Sequence, residues 1–113
     1  MRELPINTIN VHELKQLKES DPDLCLIDVR EENEWQEVRI PGALHIPKGE
    51  LVDKIQAVSP ALTQPLYLHC RGGVRSLHAA KSLLEMGYGE VYTIDGGIAE
   101  WELCGYPVEK NQG

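Results

Sequence analysis

Leu24-Cys25-Leu26-Ile27 is apolar at every position, so side chains on both sides of an extended backbone must meet hydrophobic neighbours. A strand of this kind needs cover on both faces, and helices packed on the two sides of a parallel sheet supply it. Ala43-Leu44-His45-Ile46, Leu66-Tyr67-Leu68 and Val91-Tyr92-Thr93-Ile94 are further short strand-like runs. Helical patterns separate them. Asn10 caps a helix with Glu13 reaching back, and Leu14 and Leu17 form its buried stripe. Glu31 to Val38 is a short polar helix around Trp35, closed by Ile40-Pro41-Gly42. Leu51, Ile55 and Val58 mark an amphipathic helix, with Glu50 and Lys54 paired at i,i+4. Leu77, Ala80, Leu83 and Leu84 mark another, and Asp95-Gly96-Gly97 turns into a closing helix around Trp101. Strand and helix alternate, which predicts an α/β fold with a parallel sheet between two helical layers.

The chain has 113 residues, 42% of them hydrophobic, enough for one modest core. One domain over 1–113, with its core at about 6–109, is expected. The first ten residues lack a basic start followed by an apolar run, and no stretch approaches the length of a membrane span. Cys25, Cys70 and Cys104 are too few and too odd in number for a disulfide framework. These features point to a cytoplasmic protein with free thiols. A net charge of −7 argues against nucleic acid or an anionic membrane surface as a partner. From Leu66 to Leu84, however, the only charged residues are Arg71, Arg75 and Lys81, a positive island suited to a small anion.

That island surrounds the one cysteine placed for chemistry. Cys70 follows an apolar strand and precedes Arg71-Gly72-Gly73-Val74-Arg75-Ser76, a turn that opens a helix. Ligands of open α/β sheets bind at the carboxyl ends of strands. A helix N-terminus, nearby cations and converging backbone N–H groups all favour a thiolate there. Gly72 and Gly73 let the backbone curl into an anion-binding nest.

Four blocks in order resemble the single-domain rhodaneses, members of the rhodanese-like sulfurtransferase family. They are Leu26-Ile27-Asp28-Val29-Arg30; Ile40-Pro41-Gly42-Ala43 with Ile46-Pro47; Cys70 through Ser76; and Gly96-Gly97 with Trp101 and Gly105-Tyr106-Pro107-Val108. The resemblance spans almost the whole chain. It implies a three-layer rhodanese-like fold with a central five-stranded parallel sheet, and a cysteine that cycles through a persulfide. Arg39 stands where many members have His before the Ile-Pro-Gly-Ala block, a departure that touches only a surface or packing detail.

The chemistry expected is attack of the Cys70 thiolate on the outer sulfur of an anionic donor such as thiosulfate, followed by transfer to a thiol or cyanide acceptor, a protein thiol included. Arg71 is assigned to substrate contact, with Gly72, Gly73, Val74 and Arg75 completing the cradle. Arg75 either binds substrate or braces the loop against a carboxylate such as Asp28. Asp28 and Arg30 lie on the same sheet edge as structural support, although helix capping at Glu31 or pairing with Glu34 accounts for them equally well. The Cys-x4-Arg spacing seats one sulfur, whereas the Cys-x5-Arg loop of cysteine-dependent phosphatases seats a tetrahedral phosphate. A phosphatase or arsenate reductase is therefore the weaker enzyme reading. A sulfur-relay module between partner proteins uses the same cysteine, and a non-catalytic binding domain is a third class.

Cys25, inside an apolar strand, reads as a buried inert thiol, and Cys104 as half-buried or exposed, with a resolving role against Cys70 the lesser reading. The histidines and cysteines show no metal-ligand spacing, so neither metal nor cofactor is expected. His69 reads as packed or hydrogen-bonded and His78 as a solvated helix residue. Trp35 and Trp101 read as core anchors, and Gly96-Gly97 as a tight turn on the active edge.

Overall fold

The computed structural model describes residues 6–110; the outermost positions of the span 1–113 lie outside that range. The elements are β1 (Asn7–Ile9), α1 (Val11–Ser20), β2 (Leu26–Asp28), α2 (Glu32–Glu37), β3 (Val38–Arg39) and β4 (Leu44–His45), then α3 (Leu51–Val58), β5 (Leu66–His69), α4 (Val74–Glu85), β6 (Val91–Ile94), α5 (Gly97–Leu103) and β7 (Glu109–Lys110). β1, β6, β5, β2 and β4 form a five-stranded sheet in that order, every pairing parallel. β3 and β7 form a separate antiparallel pair.

The two-residue period of a strand sorts the side chains between the two faces. Ile27, Leu66 and Leu68 enter one core with Leu51 and Ile55 of α3 and Ala79, Ala80 and Leu83 of α4. Leu26 and Tyr67 enter the other with Val11 and Leu14 of α1 and Ile98 and Trp101 of α5. The fully apolar runs are thus buried on both sides, as a doubly covered parallel sheet requires. Asn10 caps α1 through its side chain, which accepts from Glu13 N–H at 2.8 Å, while Glu13 accepts from Asn10 N–H at 3.3 Å. Glu50 and Lys54 pair on the exposed side of α3. Trp101 is buried and donates its indole N–H to the Pro107 carbonyl at 2.8 Å. Trp35 is only half-buried: it stacks on His45 and carries Arg39 over its ring. Arg39 pairs with Glu109 across β3 and β7.

Two stripes are shifted from those read in the sequence. The buried face of α4 runs through Ser76, Ala79, Ala80, Leu83 and Leu84, and Leu77 faces solvent. Ser76 faces inward because it serves the loop before it, which turns Leu77 about 100° off the core. In α3 the buried line is Leu51, Ile55 and then Ser59 beyond the helix end, leaving Val58 exposed. Buried Ser59 accepts the Tyr88 hydroxyl on its carbonyl at 2.6 Å.

Leu68 is fully buried on the central strand, among the side chains of the α3/α4 core. Leu68→Ala is expected to cost about 2–5 kcal/mol, the range for a truncated buried leucine. Denaturant unfolding should show a lower midpoint at unchanged slope.

Candidate active site

β5 runs its four buried residues to the sheet edge, and Cys70 follows on the α3/α4 side. Gly73 adopts φ +111°, a left-handed turn that a side chain would resist. The turn returns Gly73 N–H to the Cys70 Sγ at 3.0 Å. The thiol in turn lies 3.7 Å from the Ser76 hydroxyl, which donates to the Gly73 carbonyl at 3.1 Å. Cys70 is 1% exposed. Burial is the strongest single influence on its titration and opposes the anion. The N–H and hydroxyl of Ser76 and the N–H groups of Gly73 and Arg75 act against it, and together they hold the thiol below its ordinary range. When the thiol ionises, rotation of the Ser76 hydroxyl can replace the lost S–H bond with an O–H donor to sulfur.

The rim of the loop is open although the sulfur is not. Arg71, Gly72 and Val74 are exposed, and Val74 starts α4. The Arg71 side chain makes no ion pair among the described residues and lines a cleft of about 200 Å³ beside the loop. Arg75 is held differently from the expectation that involved Asp28. Its guanidinium donates to both oxygens of Glu34, at 2.6 and 3.0 Å. Hydrogen bonds from Arg75, opposed by partial burial and aided by Glu31 N–H, pull the Glu34 carboxyl down to about 2. Glu34 also closes the capping box of α2, accepting from Glu31 N–H at 3.0 Å.

Asp28 is occupied by its own neighbour. Arg30 donates Nε to Oδ1 at 3.0 Å and Nη2 to Oδ2 at 2.7 Å, and both residues are buried. Arg30 N–H also donates to Oδ1 at 2.9 Å, and Nη2 reaches the Val38 carbonyl at 2.6 Å. The pair ties the end of β2 to β3, so neither capping at Glu31 nor a bond to Glu34 is its main contact. His69, the register partner of Asp28, is fully buried with Nε2 3.7 Å from Asp28 Oδ2 and Nδ1 3.4 Å from the Cys70 carbonyl. Burial keeps its pKa below the ordinary imidazole value. His78 is exposed on α4, as expected.

The loop is also held from behind by α5. Ile98 N–H donates to the Cys70 carbonyl at 3.0 Å and Ala99 N–H to the Arg71 carbonyl at 3.1 Å, with Gly97 packed against both. The same helix contributes Glu102 to the cleft, which Glu34 and Glu37 line together with Arg30 and Arg71. The island that is purely positive along the chain is therefore mixed in space. Glu34, Ser76 and Gly97 carry contacts that the linear reading assigned to no site. The motif contains Ser76, and the Gly-Gly pair marks Gly97; Glu34 lies 41 positions from Arg75 and no local pattern joins them.

Cys25 lies just before β2 and is half-buried, not buried inside the strand as its apolar run suggests, because β2 begins at Leu26; partial burial raises its pKa. Cys104 is also half-buried, 4.0 Å from His12 Nε2 and 3.9 Å from Glu100 Oε1. Among the described residues no group of three His, Cys, Asp or Glu could hold a metal ion, and no helix is long and apolar enough to cross a membrane.

A cysteine cradled between a parallel strand and the helix that follows it, in a five-stranded α/β sheet, defines a cysteine-loop domain of the three-layer class. Residues 10–104 match the family of the rhodanese-like domain, and the chain belongs to that family. A protein of Allochromatium vinosum named sulfurtransferase is 30% identical over 96% of this chain and 99% of its own. The adenylyltransferase and sulfurtransferase UBA4 of Meyerozyma guilliermondii is 35% identical over 82% of this chain, which spans 23% of that relative. The crystal structure of thiosulfate sulfurtransferase from Pseudomonas aeruginosa superposes with a TM-score of 0.85 at 27% identity, covering 95% of this chain and 21% of that one. The family and its relatives support a sulfur-transfer role.

The Glu34–Arg75 pair sets a pH expectation. Its folded carboxyl value lies below the unfolded one of about 4.3, so the stabilisation is complete above that value and disappears as pH falls toward 2. Both side chains are partly solvated, so Glu34→Gln is expected to cost about 1 kcal/mol at neutral pH. Unfolding of wild type and variant across pH should show a constant gap above the unfolded value that closes in acid.

Proposed function

We propose that the protein is a sulfurtransferase that carries sulfane sulfur on Cys70 from a thiosulfate-type donor to a thiophilic acceptor. The observation that carries this reading is the buried Cys70 sulfur, faced by Gly73 N–H at 3.0 Å within a loop of Cys-x4-Arg spacing. The Cys70 thiolate attacks the outer sulfur of thiosulfate. A sulfur–sulfur bond forms to Cys70, the bond to the sulfonate sulfur breaks, and its electron pair leaves with sulfite. The resulting persulfide anion carries the same single charge as the thiolate. An acceptor thiolate or cyanide then attacks the outer sulfur, and the Cys70 thiolate leaves. The product is a new persulfide or thiocyanate, and the kinetics are ping-pong.

Cys70 is the nucleophile in this scheme. Arg71, exposed and unpaired among the described residues, meets the donor's sulfonate oxygens. Gly72, Gly73, Val74 and Arg75 form the cradle, Arg75 chiefly through its N–H because Glu34 occupies its guanidinium. Asp28 and Arg30 fix the strand end beside it. A cytoplasmic location and one domain with its core at about 6–109 fit this reading. A relay in which Cys70 receives sulfur from one partner protein and passes it to another uses the same chemistry. A relative from Bacillus subtilis named putative sulfur carrier protein, 32% identical over 85% of this chain, supports it. The Cys-x4-Arg spacing disfavours phosphate or arsenate chemistry.

Incubation with thiosulfate followed by intact mass measurement should show the gain of one sulfur atom, removed again by cyanide. Cys70→Ser should gain none while keeping the wild-type unfolding transition. Sulfur uptake by that variant would overturn the nucleophile assignment.

A further inference from the structure

The inner sulfur of Cys70 takes its donors from Gly73, Arg75 and Ser76. Besides Val74 N–H at the start of α4, two further loop amides, Arg71 N–H and Gly72 N–H, donate to no protein acceptor among the described residues. Their direction follows from contacts made elsewhere. Every peptide bond described is trans, so each N–H points opposite to the carbonyl of its own peptide unit. The Cys70 carbonyl shares a unit with Arg71 N–H, and the Arg71 carbonyl shares one with Gly72 N–H. Both carbonyls are held on the first turn of α5, by Ile98 N–H at 3.0 Å and Ala99 N–H at 3.1 Å. First-turn amides have no acceptor within their own helix, so these bonds satisfy groups that otherwise require water. Arg71 N–H and Gly72 N–H are consequently turned away from α5.

The approach depends on one residue. A Cβ at Gly97 would lie 2.3 Å from the Cys70 oxygen, 2.5 Å from the Arg71 oxygen and 2.7 Å from the Arg71 carbonyl carbon. All three are backbone atoms, so no side-chain rotation relieves the clash. Gly97 also has φ +55°, where a side chain adds strain. Gly96 gives a comparison in which the turn is strained but the loop is not touched. It too is left-handed, at φ +77°, but a Cβ there meets the Glu100 side chain instead of the loop.

We infer that Gly97 is a positioning residue: by admitting two carbonyls of the Cys70 loop onto α5, it aims Arg71 N–H and Gly72 N–H at the outer sulfur being transferred. The inference rests on the sulfur-transfer reading above. It divides the cradle into an inner set of donors for the Cys70 sulfur and an outer pair for the sulfur that Cys70 carries.

Wild type, Gly97→Ala and Gly96→Ala are compared in persulfide formation from thiosulfate, persulfide lifetime by intact mass, and the pH dependence of Cys70 alkylation. Gly97→Ala is expected to form persulfide slower by on the order of a hundredfold, as for loss of a preorganised anion donor, and to shed it faster. Its alkylation midpoint should stay near that of wild type, because the inner donors are untouched. Gly96→Ala, which strains the same turn without touching a loop atom, should slow persulfide formation far less than Gly97→Ala, and an equal loss in the two variants would overturn the inference. As a measurement that does not need the variant to fold, the amide resonances of Arg71 and Gly72 in the wild-type protein should shift when the persulfide forms. Ile98 and Ala99 amides should remain protected from exchange in both states. Wild-type persulfide chemistry in Gly97→Ala, or Arg71 and Gly72 resonances that do not move, would overturn the inference. A wild-type protein that takes up no sulfur would overturn the sulfur-transfer reading itself, and with it this role for Gly97.

Discussion

A buried sulfur loses the water that would solvate its anion, and Cys70 is almost completely buried. For that atom to be a nucleophile, the protein must supply hydrogen-bond donors in place of water, fixed before the charge appears. The rest of the site is arranged around this requirement. β5 delivers Cys70 to the sheet edge on the covered face, the left-handed turn at Gly73 brings an N–H back to the sulfur, and the start of α4 adds Arg75 N–H and Ser76. These donors belong to the backbone and one short hydroxyl. Their positions are therefore set by the fold and not by the rotamers of long side chains.

The charged residues take a supporting part. Arg75 is gripped by both oxygens of Glu34, which is itself anchored to the Glu31 N–H in the capping box of α2. Arg30 is buried against Asp28 and the Val38 carbonyl, linking β2 to the small β3/β7 pair. Each arginine that might otherwise swing into the site is tied down, leaving Arg71 as the mobile-length cation on the rim. A buried pair such as Asp28 and Arg30 contributes little net stability over an apolar substitute, but removing one partner strands the other charge. Its value here is geometric, since it fixes the strand end next to the one that carries Cys70.

Much of this was legible in the sequence for identifiable reasons. Runs apolar on both faces marked β2, β5 and β6, and the Cys70 motif marked the loop between β5 and α4. β1 was not visible as a strand, because Asn7-Thr8-Ile9 is short and mostly exposed at the sheet edge. The β3/β7 pair was not visible either: two residues on each side, far apart in the chain, leave no periodic trace. Helical spacing places Leu77 in the core because a leucine outweighs a serine in apolar patterning, yet Ser76 faces inward to meet the loop. The partner of Arg75 escaped for a similar reason, as several carboxylates were available and only the folded chain chooses Glu34. Contacts set by local pattern were readable; those set by a polar group's need for a distant partner were not.

The central claim is that backbone and hydroxyl donors, rather than a neighbouring cation, make the buried Cys70 thiolate. It is tested most directly by titrating the thiolate absorbance of the wild-type protein against Cys70→Ser, which isolates Cys70 from Cys25 and Cys104, and by repeating the titration with Ser76→Ala and Glu34→Gln. The account predicts a Cys70 midpoint below the ordinary cysteine value of about 8.5, raised by Ser76→Ala and little moved by Glu34→Gln. A midpoint at or above that value, or one that responds to Glu34→Gln and not to Ser76→Ala, would contradict it.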